Sequence, residues 1–422
     1  MEVIWAFTFL HAIVLAATRQ QVEGQTNESS LVLLQVVYRH GDRTPIRTFK
    51  NDPIPITAWK EGPGQLTKLG CQQHYAMGGH LRQRYDHFIS GNPHELRVLS
   101  SDKDRCLASA QCHLAGFAVP SPDWAWNETF HWQPVPIHTR PVSEDGMLVP
   151  GDAFCPEARA EEQRFKNSAE GQAFLQKYHK LYEKLTEKTG SIIADWNDAA
   201  YVYDALLIER YHKYSTPEWA QEMWDKLRYQ SDQSFVFYTK TPLLKRLLAG
   251  LLLANLSGNL EMAAQNKSEH KVFMYSTHDT EVSAILDSLG VFDGHAPPYC
   301  SCLVLELWKN GPGNFSVRGL TLNAFNMTPQ AVRFPGCTDE YCSLDEFLSL
   351  AKVNIPDDWR RECGLQQPFF LSDGALALVI GQSAVLAIVV FSCTAYVLLR
   401  RRRTPKNMVA YSPLPTEFSP TN

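Results

Sequence analysis

The sequence predicts an α/β protein: a mixed sheet with helices on both faces, a smaller inserted helical cap, and a type I membrane anchor. Three observations predict it. Residues 31–38 (LVLLQVVY) form a continuous apolar run, typical of a strand covered on both faces. Two further short apolar runs, Leu96–Leu99 and Val272–Tyr275, are each followed by a turn and a helical pattern. Residues 156 to 238 read instead as helix after helix.

Residues 3–17 are apolar and end in small residues, which reads as a signal peptide over 1–24, although Glu2 stands where a basic residue is usual. A buried N-terminal helix is the alternative. Thr67 can cap a helix carrying Leu69, Met77, Leu81, Tyr85 and Phe88 at a period near 3.6. Phe174, Tyr178, Leu181 and Leu185 make an apolar stripe that Gly190 ends, and Pro217 opens a helix through Trp219 and Trp224. This helical unit, residues 120–240, is the expected cap. Pro242 begins an apolar helix, Leu243–Leu253, that returns the chain to the sheet, and Thr280 can cap a helix over Glu281–Leu289. Gly374–Leu399 holds 26 residues without a charge, enough to cross a bilayer, and Arg400, Arg401, Arg402 and Arg403 follow. That order places residues 25–372 in the lumen, 374–399 in the membrane and 400–422 in the cytosol. In the tail, Tyr411 and Leu414 form a tyrosine-based sorting pattern of the kind that clathrin adaptors bind as an added strand.

Composition narrows the function. The apolar fraction of 44% marks a globular chain, and a net charge of −5 points to no nucleic acid or other polyanion. Six sequons, at Asn27, Asn127, Asn255, Asn266, Asn314 and Asn326, suit an exported glycoprotein. Of ten cysteines, Cys393 falls in the apolar segment; the other nine leave at least one thiol free or intermolecular. No CxxC pair suggests zinc, and no metal or cofactor is expected.

The chemistry lies where the predicted strands end. Arg39, His40 and Arg43 follow the first, Asp102, Asp104 and Arg105 the second, and His278-Asp279-Thr280 the third. Ligands of open α/β sheets bind beyond the carboxyl ends of strands, so these loops can converge. Three guanidiniums suit a tetrahedral dianion, and a neutral His40 among them is a nucleophile toward it rather than a metal ligand. Asp279 is the nearest general acid for a leaving alcohol, and His278 a donor that holds phosphate. Taken singly, Asp279 is equally an N-cap and His278 equally a satisfied buried histidine. With no P-loop and no carboxylate cluster for magnesium, the arginines would stabilise the charge themselves.

Tyr38-Arg39-His40-Gly41-Asp42-Arg43-Thr44-Pro45, Ser100-Ser101-Asp102-Lys103-Asp104-Arg105 and Tyr275-Ser276-Thr277-His278-Asp279-Thr280 resemble the three signatures of the histidine acid phosphatases. Residues 59–70 and 132–144 are similar to the animal lysosomal and prostatic branch, and the likeness spans residues 31–365. It implies His40 as the phosphorylated nucleophile, Asp279 as proton donor, and Arg39, Arg43, Arg105 and His278 as phosphate ligands. It also implies phosphomonoester substrates at acid pH, a homodimer, and a lysosomal membrane protein whose lumenal part can be released by proteolysis. Disulfides Cys155–Cys363 and Cys337–Cys342 are implied as well. Leu99 and Cys106 depart from the second signature, where relatives often carry arginine and threonine. Ile208 stands where a partner for Cys302 is expected, Cys300 is extra, and Cys71, Cys106 and Cys112 have no assigned partner; burial as small hydrophobes is their commonest role. Two other readings remain at this point: a cell-surface phosphatase acting on nucleotide monophosphates, and a silent adhesion or receptor glycoprotein on the same scaffold.

Overall fold

The computed structural model describes residues 29–323, 326–365 and 373–403. The chain divides after Leu365. Up to that point it is built on one eight-stranded sheet: β1 (Ser30–Arg39), β2 (Leu96–Ser100), β3 (Ile137–His138), β4 (Val272–Thr277), β5 (Cys302–Gly311), β6 (Asn314–Asn323), β7 (Asn326–Val332) and β8 (Tyr341–Ser343). The order is β3-β2-β4-β1-β5-β6-β7, with β8 on β6. Neighbours from β3 to β1 are parallel, and all pairs from β1–β5 onward are antiparallel.

Strand periodicity divides the core. Leu34, Val36 and Tyr38 of β1 pack with α1 (Lys68–Arg84) and α2 (Asp104–Phe117) through Met77, Leu81, Leu114 and Phe117. Leu33 and Val37 face the opposite layer. There α8 (Pro242–Ala264), α9 (Asp279–Ser288) and α10 (Leu344–Lys352) contribute Leu252, Leu256, Ile285 and Phe347. Both faces are therefore covered, as the apolar run of β1 requires. Gln35 is the polar exception in that run. It is fully buried, but its amide donates to the Leu256 carbonyl at 2.9 Å and its oxygen accepts from Asn259 at 2.9 Å.

Five helices make the insert: α3 (Pro156–Asn167), α4 (Ala169–Thr189), α5 (Trp196–Tyr211), α6 (Glu218–Glu222) and α7 (Trp224–Tyr238). Tyr182, Leu185, Val202, Leu206 and Leu227 form its core. The helix expected after Pro217 is broken at Met223 into α6 and α7. Thr67 caps α1 by accepting from the Gly70 amide, and Gly190 ends α4 at φ 66°, a conformation that favours glycine. Thr280 does not cap α9. That helix starts two residues earlier, with His278 in the N-cap position and its side chain turned to other partners.

Cys155 is bonded to Cys363 and Cys337 to Cys342. Cys71 and Cys112 are also bonded, joining α1 to α2, so these two are staples rather than the isolated small hydrophobes expected. Cys106, Cys300 and Cys302 are free and buried, and Ile208 is fully buried within α5. Asn127, Asn255, Asn266 and Asn314 are exposed. Asn27, the signal segment, Tyr411 and Leu414 lie outside the described residues. Helix α8 is long and apolar enough to cross a membrane, yet most of it is buried in the protein. Beyond α11 (Trp359–Glu362), α12 (Asp373–Arg403) is a single 31-residue helix that exposes Val385, Leu386, Ile388 and Phe391.

Candidate active site

The parallel strands β2, β4 and β1 are adjacent, so the loops after them meet. The His40 amide donates to the Thr277 carbonyl at 3.0 Å, and the Ser101 amide to the Ser276 carbonyl at 3.0 Å. This brings Arg39, His40, Arg43, Arg105, His278 and Asp279 together from three distant stretches. Close packing seats the first loop: a Cβ on Gly41 would collide with the Gly70 backbone at the start of α1. The Gly41 amide also donates to Ser109 Oγ at 3.1 Å, and His74 Nε2–H to the Arg39 carbonyl at 3.0 Å.

His40 is 1% exposed, with Nδ1 2.8 Å from the Gly41 carbonyl. A carbonyl can only accept, so Nδ1 carries the hydrogen and Nε2 keeps its lone pair. Burial, then the charges of Arg105, Arg39 and Arg43, hold the imidazole well below its ordinary pKa. His40 is thus neutral in acid, with a defined nucleophilic nitrogen.

Each guanidinium is anchored by its end groups. Arg39 donates from Nη2 to Asp279 Oδ2 at 2.7 Å and from Nη1 to the Pro297 carbonyl at 2.6 Å, and it lies 4.4 Å from the Tyr299 ring centre. Arg43 makes a two-pronged pair with Asp204, 3.1 Å at each prong. Arg105 Nη2 donates to His278 Nδ1 at 3.2 Å. In all three, the Nε–H is buried without a partner. Three unsatisfied cationic donors in one cluster are costly unless an anion occupies it.

His278 differs from the expected phosphate donor. Its Nδ1 accepts from Arg105, which leaves Nε2–H for Ser101 Oγ at 2.9 Å. Burial and then Arg105 push its pKa down to about 3, so it stays neutral. Donation to phosphate from Nδ1 requires Arg105 to leave it and the ring hydrogen to shift there, with the Ser101 hydroxyl then donating to Nε2. Cys106 Sγ lies 3.6 Å from His278 Nε2, but burial pushes the thiol up to about 12, which makes it a packing group. For Asp279, burial favours the acid, but Arg39, Arg43, His278 and the Thr280 amide together hold the carboxyl below its usual range. Behind it, burial first pushes Glu281 up to about 8, so in acid it adds no charge to oppose an anion.

Four contributors are not singled out by sequence reading, because each acts through a partner far away in the chain: Ser101 on His278, Asp204 on Arg43, Tyr299 on Arg39 and His212 on Asp42. No metal site competes with this cluster among the described residues. Cys337, Cys342 and Glu346 lie close together, but the two sulfurs are bonded to each other.

A neutral imidazole nitrogen, three arginines and a carboxyl can bind a phosphate monoester, attack phosphorus and protonate the departing oxygen. Comparison with known proteins agrees. The family model described as histidine phosphatase superfamily (branch 2) matches residues 30–321. Prostatic acid phosphatase of Bos taurus is 35% identical over 367 residues, covering 85% of this chain and 94% of that protein. The chain belongs to the histidine acid phosphatase family. This histidine acid phosphatase is also 36% identical to lysosomal acid phosphatase of Xenopus laevis over 373 residues, 87% of this chain and 86% of the relative. Such similar values do not divide the lysosomal from the prostatic type. Among solved structures, Hafnia alvei phytase in complex with tartrate superposes with a TM-score of 0.60 at 17% identity, covering 81% of this chain and 99% of that one. At that identity the likeness shows the shared fold: an α/β unit with a mixed sheet and a helical insert.

Proposed function

We propose that this acid phosphatase hydrolyses phosphate monoesters in acid through a phosphohistidine on His40, and that it works in the lysosome. The observation that carries the mechanism is the His40 Nδ1–H bond to the Gly41 carbonyl. It leaves the Nε2 lone pair free beside three arginines. A bound dianion draws Arg39, Arg43 and Arg105 onto its oxygens. Its negative charge raises the pKa of Asp279, which then holds a proton at acid pH. Nε2 forms the bond to phosphorus as the ester P–O bond breaks, and Asp279 gives its proton to the leaving oxygen. The Gly41 carbonyl steadies the positive imidazole through Nδ1–H. The Asp279 carboxylate then takes a proton from water as that oxygen attacks phosphorus. The P–N bond breaks, inorganic phosphate leaves, and His40 is neutral again.

Hydrolysis of a chromogenic monoester from pH 4 to 8, with chelator present, tests the activity. An acid optimum that survives chelation and is lost in His40→Ala is expected; full activity of His40→Ala refutes the mechanism. For location, the support is the uncharged stretch Gly374–Leu399 within α12, the four arginines after it, and the Tyr411 pattern read by adaptors. In cells, Tyr411→Ala should hold the protein at the plasma membrane. An unchanged steady-state location overturns the sorting claim and favours a surface enzyme.

A further inference from the structure

Helix α5 of the cap grips the loop that carries His40 at two consecutive residues. Asp204 holds Arg43 by the two-pronged pair. His212, the residue that ends α5, donates from Nε2 to Asp42 Oδ2 at 2.7 Å. The Asp42 side chain is completely buried, and the Thr67 hydroxyl donates to the same oxygen at 2.5 Å. Its other oxygen has no partner. The Asp42 amide donates to Gln73, and its carbonyl accepts from the Thr67 amide at the start of α1.

Asp42 therefore sits between the two groups whose placement the chemistry needs. On one side is the Gly41 carbonyl, which fixes the His40 tautomer; on the other is Arg43. We infer that His212 is a positioning residue, whose charged pair with Asp42 ties the reacting loop to the cap and keeps it in its active geometry. This rests on the reading of His40–Arg43 as the reacting loop.

The grip depends on pH. The charged groups that act on His212 are Asp42 and, more weakly, Glu61. The Trp59 ring lies edge-on to it at 5.0 Å. The bond to Asp42 raises the imidazole above its ordinary pKa against the opposing effect of burial. A raised folded value means that the positive charge on His212 is fully present below about 6.5 and is lost as pH rises through that raised value. A neutral His212 keeps its Nε2–H on Asp42, but the buried carboxylate then loses the positive charge that opposed its own.

The test is the pH profile of kcat/KM in His212→Gln, which keeps a neutral donor but cannot become charged. Activity should fall about tenfold at pH 5, in line with a charge-assisted bond to a buried carboxylate, and the deficit should shrink as pH rises through the raised His212 value. Asp42→Asn, which removes the charge from the other partner, should flatten the profile in the same way. A loss by one constant factor at every pH assigns His212 a merely structural role and overturns the proposal. If neither variant folds, NMR titration of labelled histidines in the wild type decides. A His212 midpoint above the ordinary histidine value is expected, and one at or below it overturns the proposal. Failure of the underlying reading is distinct: the wild type would then carry no phosphate on His40, whatever the variants do.

Discussion

Replacing Asp279 with asparagine separates its two effects, proton donation and the masking of Arg39. The amide is isosteric, but its one oxygen can keep only one of the two bonds that the carboxylate accepts, from Arg39 on Oδ2 at 2.7 Å or from the Thr280 amide on Oδ1 at 3.0 Å. The fold should persist. The proton donor is gone, and general acids contribute about 10²–10⁴-fold where the leaving group needs protonation. The loss should therefore approach that range for an alkyl phosphate and stay within about tenfold for a nitrophenyl phosphate, whose leaving group departs as a stable anion. Arg39 also loses a charged partner worth about 1.5–3 kcal/mol, so inorganic phosphate should inhibit the variant at least about tenfold more tightly. The assay is kcat/KM for both esters, with the inhibition constant for phosphate, at one acid pH. Equal loss on both esters would refute Asp279 as the acid. Unchanged phosphate inhibition would refute its competition for Arg39.

Other predictions follow from the same geometry. Removing the Cys71–Cys112 bond, which spans 41 residues of sequence, with paired alanines should cost about 4 kcal/mol by loop entropy, read in denaturant unfolding. A peptide map without that crosslink would contradict the pairing. Gly41→Ala places a methyl against the Gly70 backbone, so it should abolish activity and lower Tm; an active, stable variant would contradict the close approach. Cys106 is buried with its thiol pushed up to about 12, so it should resist alkylation at pH 7.5 in the folded enzyme. Rapid labelling with inactivation would show a more open site.

The parallel half of the fold and its chemistry were legible because their signals are local. The continuous apolar run of β1 announces a strand buried on both faces, and basic or acid–base residues follow β1, β2 and β4 directly in sequence. The antiparallel half was not read as strands. In β5, Cys302–Leu307 is buried without interruption, so no alternation sets it apart from a buried helix. The two-residue β3 is too short to leave a pattern. Within the site, the nature of the six residues could be read, but not how they are held. The partners of Arg43 and Asp42 lie 161 and 170 residues away in an inserted helix, where Asp204 and His212 look like ordinary surface positions. The Cys71–Cys112 bond escaped for a related reason: it depends on α1 and α2 packing side by side, which spacing alone does not specify.

The central claim is a covalent phosphohistidine at His40. It is tested most directly by quenching the enzyme during turnover of a phosphate-labelled ester and locating the label by mass spectrometry under conditions that preserve acid-labile phosphoramidates. One phosphate on the His40 peptide, attached at Nε2, is expected, and none in His40→Ala. An active enzyme with no label, or with label on another residue, would contradict it.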